Sequence, residues 1–132
     1  MAEFSDYMEN AIINLMRNVA LTQVAAYVAL FKSPVSDAEL EAGTLTNEVS
    51  GGSYARQLAG LSAPSNGVTA NAAEILFPQA TADWGTVTHV ALVRAVSGAT
   101  DVFMFSALDV QKVVNSGDTF KINAGDLDVT VT

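Results

Sequence analysis

The sequence predicts a mainly β protein: an antiparallel β-sandwich of about seven strands with one N-terminal α-helix. Three observations carry that expectation. Apolar residues recur at spacings of three and four only near the start of the chain. Beyond it, short apolar or alternating runs are separated by clusters of Gly, Asn, Asp, Ser and Pro. At 132 residues the chain has the length for one core. Residues 1–22 are expected to form a helical element that packs or docks, and residues 23–132 the sandwich.

Taking the elements in order, Phe4, Met8, Ile12, Leu15, Met16 and Val19 form one apolar stripe. Ser5 suits an N-cap, Asp6 and Glu9 the positive end of the helix dipole, and Arg17 the negative end. A helix over roughly residues 5 to 18 follows, its stripe packed on its own domain or docked onto a neighbour. Val24 to Phe31 is apolar on both faces and reads as a buried central strand. The acidic stretch 34–47, with one proline and several carboxylates, reads as a long exposed loop.

The double glycine Gly51-Gly52 opens the run "SYARQLAGLS", in which Tyr54, Arg56 and Leu58 alternate with Ala55, Gln57 and Ala59. Asn66-Gly67 between two strand-like runs is a hairpin signal. Gly85 to Ala95 sets Val87, His89, Ala91 and Val93 on one face and Thr88, Val90, Leu92 and Arg94 on the other. "VFMFSAL", a strand at Thr119 to Ile122 and a terminal strand complete the set. In that last strand Leu127, Val129 and Val131 alternate with Asp126, Asp128 and Thr130.

Fourteen acidic against six basic residues give a formal charge of -8, the wrong sign for a protein that neutralises phosphates, so no nucleic-acid partner is expected. Charged residues make up 15% of the chain and apolar ones 50%, against about 25% charged in an average soluble domain. That deficit points to outer surface covered by other subunits, or else to a surface rich in uncharged polar residues. No cysteine is present, which excludes disulfides and thiolate metal sites. The longest apolar stretch, from Val19, is too short for a bilayer and is interrupted by Thr22 and Gln23, so no membrane partner is expected. Glu3, Asp6 and Glu9 stand where a signal peptide would be positive, and synthesis in a cytoplasm is expected.

Chemistry-bearing constellations are not found. His89 is the only histidine, placed mid-strand, and reads as structural. "GDLD" lacks the spacing of a calcium loop, and its two acids at i and i+2 share a solvated strand face. "SGGSYAR" has no lysine followed by Ser or Thr, so it is not a phosphate loop; its glycines read as positions of positive φ or close backbone approach. Trp84 reads as a core or seam anchor. No catalytic, cofactor-binding or metal-ligating residues are assigned. The interface candidates are Tyr54, Arg56, Trp84, Met8, Ile12, Leu15 and Met16, with an intramolecular stack the alternative for Tyr54 and Arg56.

The segments "EVSGGSYAR", "WGTVTH" and "GDLDVT", in a match from Tyr7 to Thr130, resemble a family of small tailed-bacteriophage virion proteins often labelled phage tail fibre proteins, with head-decoration or cement relatives. The resemblance implies a non-enzymatic structural role, without cofactor, in a virion assembled from proteins made in the host bacterial cytoplasm. A capsid decoration or cement protein on the head exterior is the first expectation. A tail fibre or appendage protein, acting in tail assembly or host recognition, is the alternative. Implied partners are copies of itself, as a trimer or other homo-oligomer, and the major capsid protein or tail proteins. A host-surface glycan is implied only under the alternative.

Overall fold

The computed structural model describes residues 3–131. In chain order the elements are β1 (Glu3–Phe4), α1 (Asp6–Met16), β2 (Tyr27–Lys32), α2 (Asp37–Glu41), β3 (Gln57–Leu58), β4 (Val68–Ala70), β5 (Ile75–Leu76), β6 (Gly85–Val93), β7 (Val102–Val114), β8 (Lys121–Ile122) and β9 (Asp128–Thr130). The protein is mainly β with antiparallel sheets and an N-terminal helix, as the sequence predicts. Nine strands appear among the described residues rather than seven, because several are only two or three residues long.

A five-stranded sheet of order β1-β7-β6-β2-β3 forms one layer, and the pairs β4-β9 and β5-β8 contribute to the other. Between them lies the larger core. Val28, Leu30, Val87, Val90 and Leu92 of the sheet meet Phe77, Trp84, Phe120, Leu127 and Val129 there. At about 25 cal/mol per Å² of apolar surface removed from water, this burial is the main favourable term holding the layers together. The predicted alternation holds from Asp126 to Thr130, with Leu127 and Val129 buried and Asp126, Asp128 and Thr130 exposed, but it fails at Val131, which is exposed. The Asn66-Gly67 turn also forms, with φ of 54° and 76° and paired bonds between Ser65 and Val68.

The sheet's opposite face is covered by the acidic stretch, which corrects the expectation of an exposed loop. Residues 34–47 contain α2, opened by a capping box in which Ser36 and Glu39 satisfy each other's backbone N–H groups. Val35 and Leu40 are buried against Phe31, Ala91, Val93 and Phe105. Those contacts offset the ordering entropy of a helix too short to persist alone.

Three further expectations are corrected. β2 begins at Tyr27 rather than Val24, and residues 18–26 run as coil. The alternation of "SYARQLAG" fails outside Gln57–Leu58: Arg56 and Ala59 are buried while Leu58 is exposed. In β6 the alternation breaks at a bulge, where Leu108–Gln111 of β7 stand opposite Thr88 alone. Val87 and Val90 therefore enter the same core although three residues apart, while His89 turns to the α2 side and sits 2.9 Å from Asp37 Oδ1.

The N-terminus is stitched to the sheet at Ser5. Its N–H donates to Phe103 O at 3.1 Å and its buried hydroxyl donates to Val102 O. Ser5 Oγ also caps α1 by accepting from Met8 N at 3.2 Å. Arg94 adds a second anchor. Its guanidinium lies 5.1 Å from the Tyr7 ring centroid and 5.7 Å from that of Phe103. From there it donates to Thr22 O at 2.7 Å, which holds the coil after α1.

Candidate assembly surface

The interface candidates separate into an inward group and an outward group. Gly51, Gly52 and Ser53 turn the chain with φ of 72°, 57° and 66°. The turn brings Gly52 against Trp84. A Cβ on Gly52 would fall 2.9 Å from Trp84 Nε1, which donates to Gly52 O at 2.9 Å, while Thr81 N donates to the same carbonyl at 3.0 Å. Only glycine allows both that φ and that approach.

Tyr54 follows, its ring edge-on to Trp84 at 5.5 Å and stacked on Phe77 at 6.2 Å. Its hydroxyl accepts from Leu30 N at 3.0 Å and donates to Glu48 Oε2 at 2.7 Å. Burial, then the neighbouring Glu48 charge, pushes the phenol well above its ordinary range. Arg56 grips both Glu48 oxygens, at 2.8 and 2.7 Å, and donates to Ala95 O and Gly98 O at 3.0 and 2.9 Å. The hydrogen bonds to Glu48 hold the guanidinium pKa above its ordinary value. With side chains only 5% and 14% exposed, Arg56 and Glu48 tie the segment before β3 to the β6-β7 connection. Tyr54, Arg56 and Trp84 thus direct their side chains into their own protomer.

The helix does the reverse. Met8 and Ile12 are half-buried and Ala11 is the one buried residue of α1. Leu15 is exposed, as are Val19 and Val24 of the following coil. Ile13 and Met16 are 52% and 77% exposed. Ile13 lay outside the sequence stripe; the signal for it was a second apolar spacing, Ile13 to Met16, on the helix side where Asp6 and Glu9 project.

Residues 3–130 match the family described as podophage GP4 fiber I protein gp80. The chain belongs to that family. No curated protein matches it. As a phage fibre protein it is a structural component of a virion, and this family supports the tail-fibre alternative better than capsid decoration.

Other chemistry-bearing groups of this fibre protein are dispersed. Asp6, Glu9 and Glu41 bring carboxylate oxygens within 4.8 Å of one another, the one group of metal-ligand spacing among the described residues, and all three are exposed. The neighbouring Asp6 charge raises the Glu41 pKa. His89, between Thr88 Oγ1 and Asp37, holds α2 to β6. Asp126 and Asp128 are both exposed, as expected, but only Asp128 lies on the terminal strand; Asp126 belongs to the turn before it.

Proposed function

We propose that this chain is a non-enzymatic structural subunit of a podophage tail fibre or tail appendage, acting in its assembly. The family match over residues 3–130 is the observation that carries the reading. Its partners are then neighbouring tail proteins, and its contact surfaces are the apolar groups left outside the fold. Assembly is favoured over host-glycan capture by the placement of the aromatics: none among the described residues is exposed, whereas sugar faces stack on exposed rings.

Labelling the chain in intact virions and imaging them by cryo-EM tests this. Density at the tail in a few to a few dozen copies is expected. Density repeated over the head lattice would overturn the fibre reading and restore capsid decoration.

A further inference from the structure

The two edges of the five-stranded sheet are finished differently. At one, β3 is two residues long, the length at which an edge offers little to pair with. At the other stands β7, 13 residues long, and β1 pairs with it only at Met104 and Phe105. From Ala107 to Val114 no described strand pairs with its outer side. Leu108–Gln111 have no registered partner in β6 either. Beside this open edge the two layers part. A groove runs between β7 and the segment from Phe120 to Leu127, as two adjoining hollows of about 420 and 410 Å³ that share Lys112, Phe120 and Lys121. Its lining is largely apolar: Leu108, Ile122 and the core residues Phe120 and Leu127 reach it, with Val110 and Val113 64% and 59% exposed. β8 pairs only with β5, so the far wall is open as well. The groove is also polarised. Asp109 and Asp126 lie toward its Ala107 end and Lys112 toward its Val114 end, and none of the three joins any of the four ion pairs among the described residues.

We propose that this groove takes an extended segment of about six residues from a neighbouring virion protein, which adds to β7 as an antiparallel strand. The open main chain of β7 requires an occupant that is extended, and the apolar lining requires alternate aliphatic side chains on it. The charges orient it. Every strand pair in the fold is antiparallel, and an added strand of that sense continues the line of β1 along the edge. Its C-terminal end then lies at Asp109 and Asp126 and its N-terminal end at Lys112, so a basic residue belongs at the former and an acidic one at the latter. β7 itself carries that charge order, but pairing it with its own copy would set bulge against bulge, and a ladder fails where both strands bend. The occupant is therefore a segment of another protein. The proposal deepens the assembly reading and rests on it only for which protein donates the segment.

Overlapping peptides of about ten residues, covering the other structural proteins of the same virion, are the probe, each added to the isotope-labelled full chain and followed by amide NMR. A peptide of alternating aliphatic residues, acidic near its start and basic near its end, is expected to shift the amides of Leu108–Val114 and Phe120–Asn123. Methylating its alternate amides on the side that faces β7 should weaken binding at least about tenfold by removing the ladder donors, while methylating the other alternate set should not. Val110→Asp should weaken it by a similar factor with the fold intact, because that side chain is exposed in the free chain. Asp109→Lys should weaken the natural peptide and favour one with its end charges exchanged. The proposal is overturned if no peptide shifts these amides, if binding ignores both the methylation pattern and Val110→Asp, or if the same amides shift with chain concentration alone, which would give the edge to a second copy. A bound segment drawn from a head protein would uphold the groove while overturning the fibre reading, so the two fail separately.

Discussion

The turn at Gly51 and the helix at Asp6 both carry residues that could serve recognition, and the fold treats them in opposite ways. Tyr54, Arg56 and Trp84 are of the types that dominate protein interfaces, yet each has its polar atoms answered from within: Glu48, Leu30 N, Gly52 O, Ala95 O and Gly98 O. Ile13, Leu15 and Met16 are unremarkable helix apolars, and their own domain leaves them uncovered. The side chain's chemical type does not decide which surface is free. What decides it is whether the rest of the chain supplies partners, and Arg56 spends four of its five N–H donors on Glu48, Ala95 O and Gly98 O of its own chain.

Breaking the inward network should give the largest effect. Glu48→Ala leaves the Arg56 guanidinium buried with only two carbonyls and no counter-charge, and a loss of about 3–5 kcal/mol of unfolding free energy is expected by urea denaturation. A change under about 1 kcal/mol would mean that Arg56 swings into water, and the contrast between the two regions would collapse. Gly52→Ala comes next. It places a methyl 2.9 Å from Trp84 Nε1 at a φ of 57°, with about 1–3 kcal/mol lost and Trp84 fluorescence shifted. A variant of natural stability would show the turn to be loose.

Tyr54→Phe should cost about 1–2 kcal/mol, by leaving Leu30 N–H without its acceptor. It also carries a pH signature. In the fold the phenol's pKa is raised, while the unfolded chain ionises near 10.0. Its stability contribution is therefore complete below about pH 10 and is lost as pH rises further, by up to about 1.4 kcal/mol per pH unit. The raised Arg56 acts in the same direction at still higher pH. Denaturation at pH 9 and pH 11 should show that fall in the natural chain and a shallower one in Tyr54→Phe. Equal slopes would mean that Tyr54 is reached by solvent.

How much of this was legible depends on the range of the interactions. The first helix and the Asn66-Gly67 turn are set within a few residues, by a Ser5 cap and by positive φ, and both were readable. The terminal strand was readable from its alternation. The Ser36-to-Glu39 capping box was equally local, but α2 is five residues long and depends on Leu40 finding the far face of the sheet. The β6 bulge is a property of its pairing with β7, not of either strand. The inward turn of Arg56 depends on carbonyls about 40 residues away, at Ala95 and Gly98, so sequence reading saw only an arginine beside a tyrosine. The helix stripe was found, but its uncovered end depends on where the sheet stops.

That uncovered end gives the smallest expected effect on a single chain and the sharpest contrast with the network. From the sequence, Leu15→Asp should bury a charge and cost assembly or stability. In the fold Leu15 is more than half exposed at the last turn of α1, so an aspartate there keeps its water and the isolated chain should change by no more than about 0.5 kcal/mol. Ala11→Asp, on the same helix but facing the sheet, should cost several times as much, because its carboxylate would be desolvated without a partner. Denaturation curves of the two variants, run at low protein concentration, make the comparison. A loss above about 2 kcal/mol for Leu15→Asp would place that residue in the chain's own core and remove the helix end from the free surface.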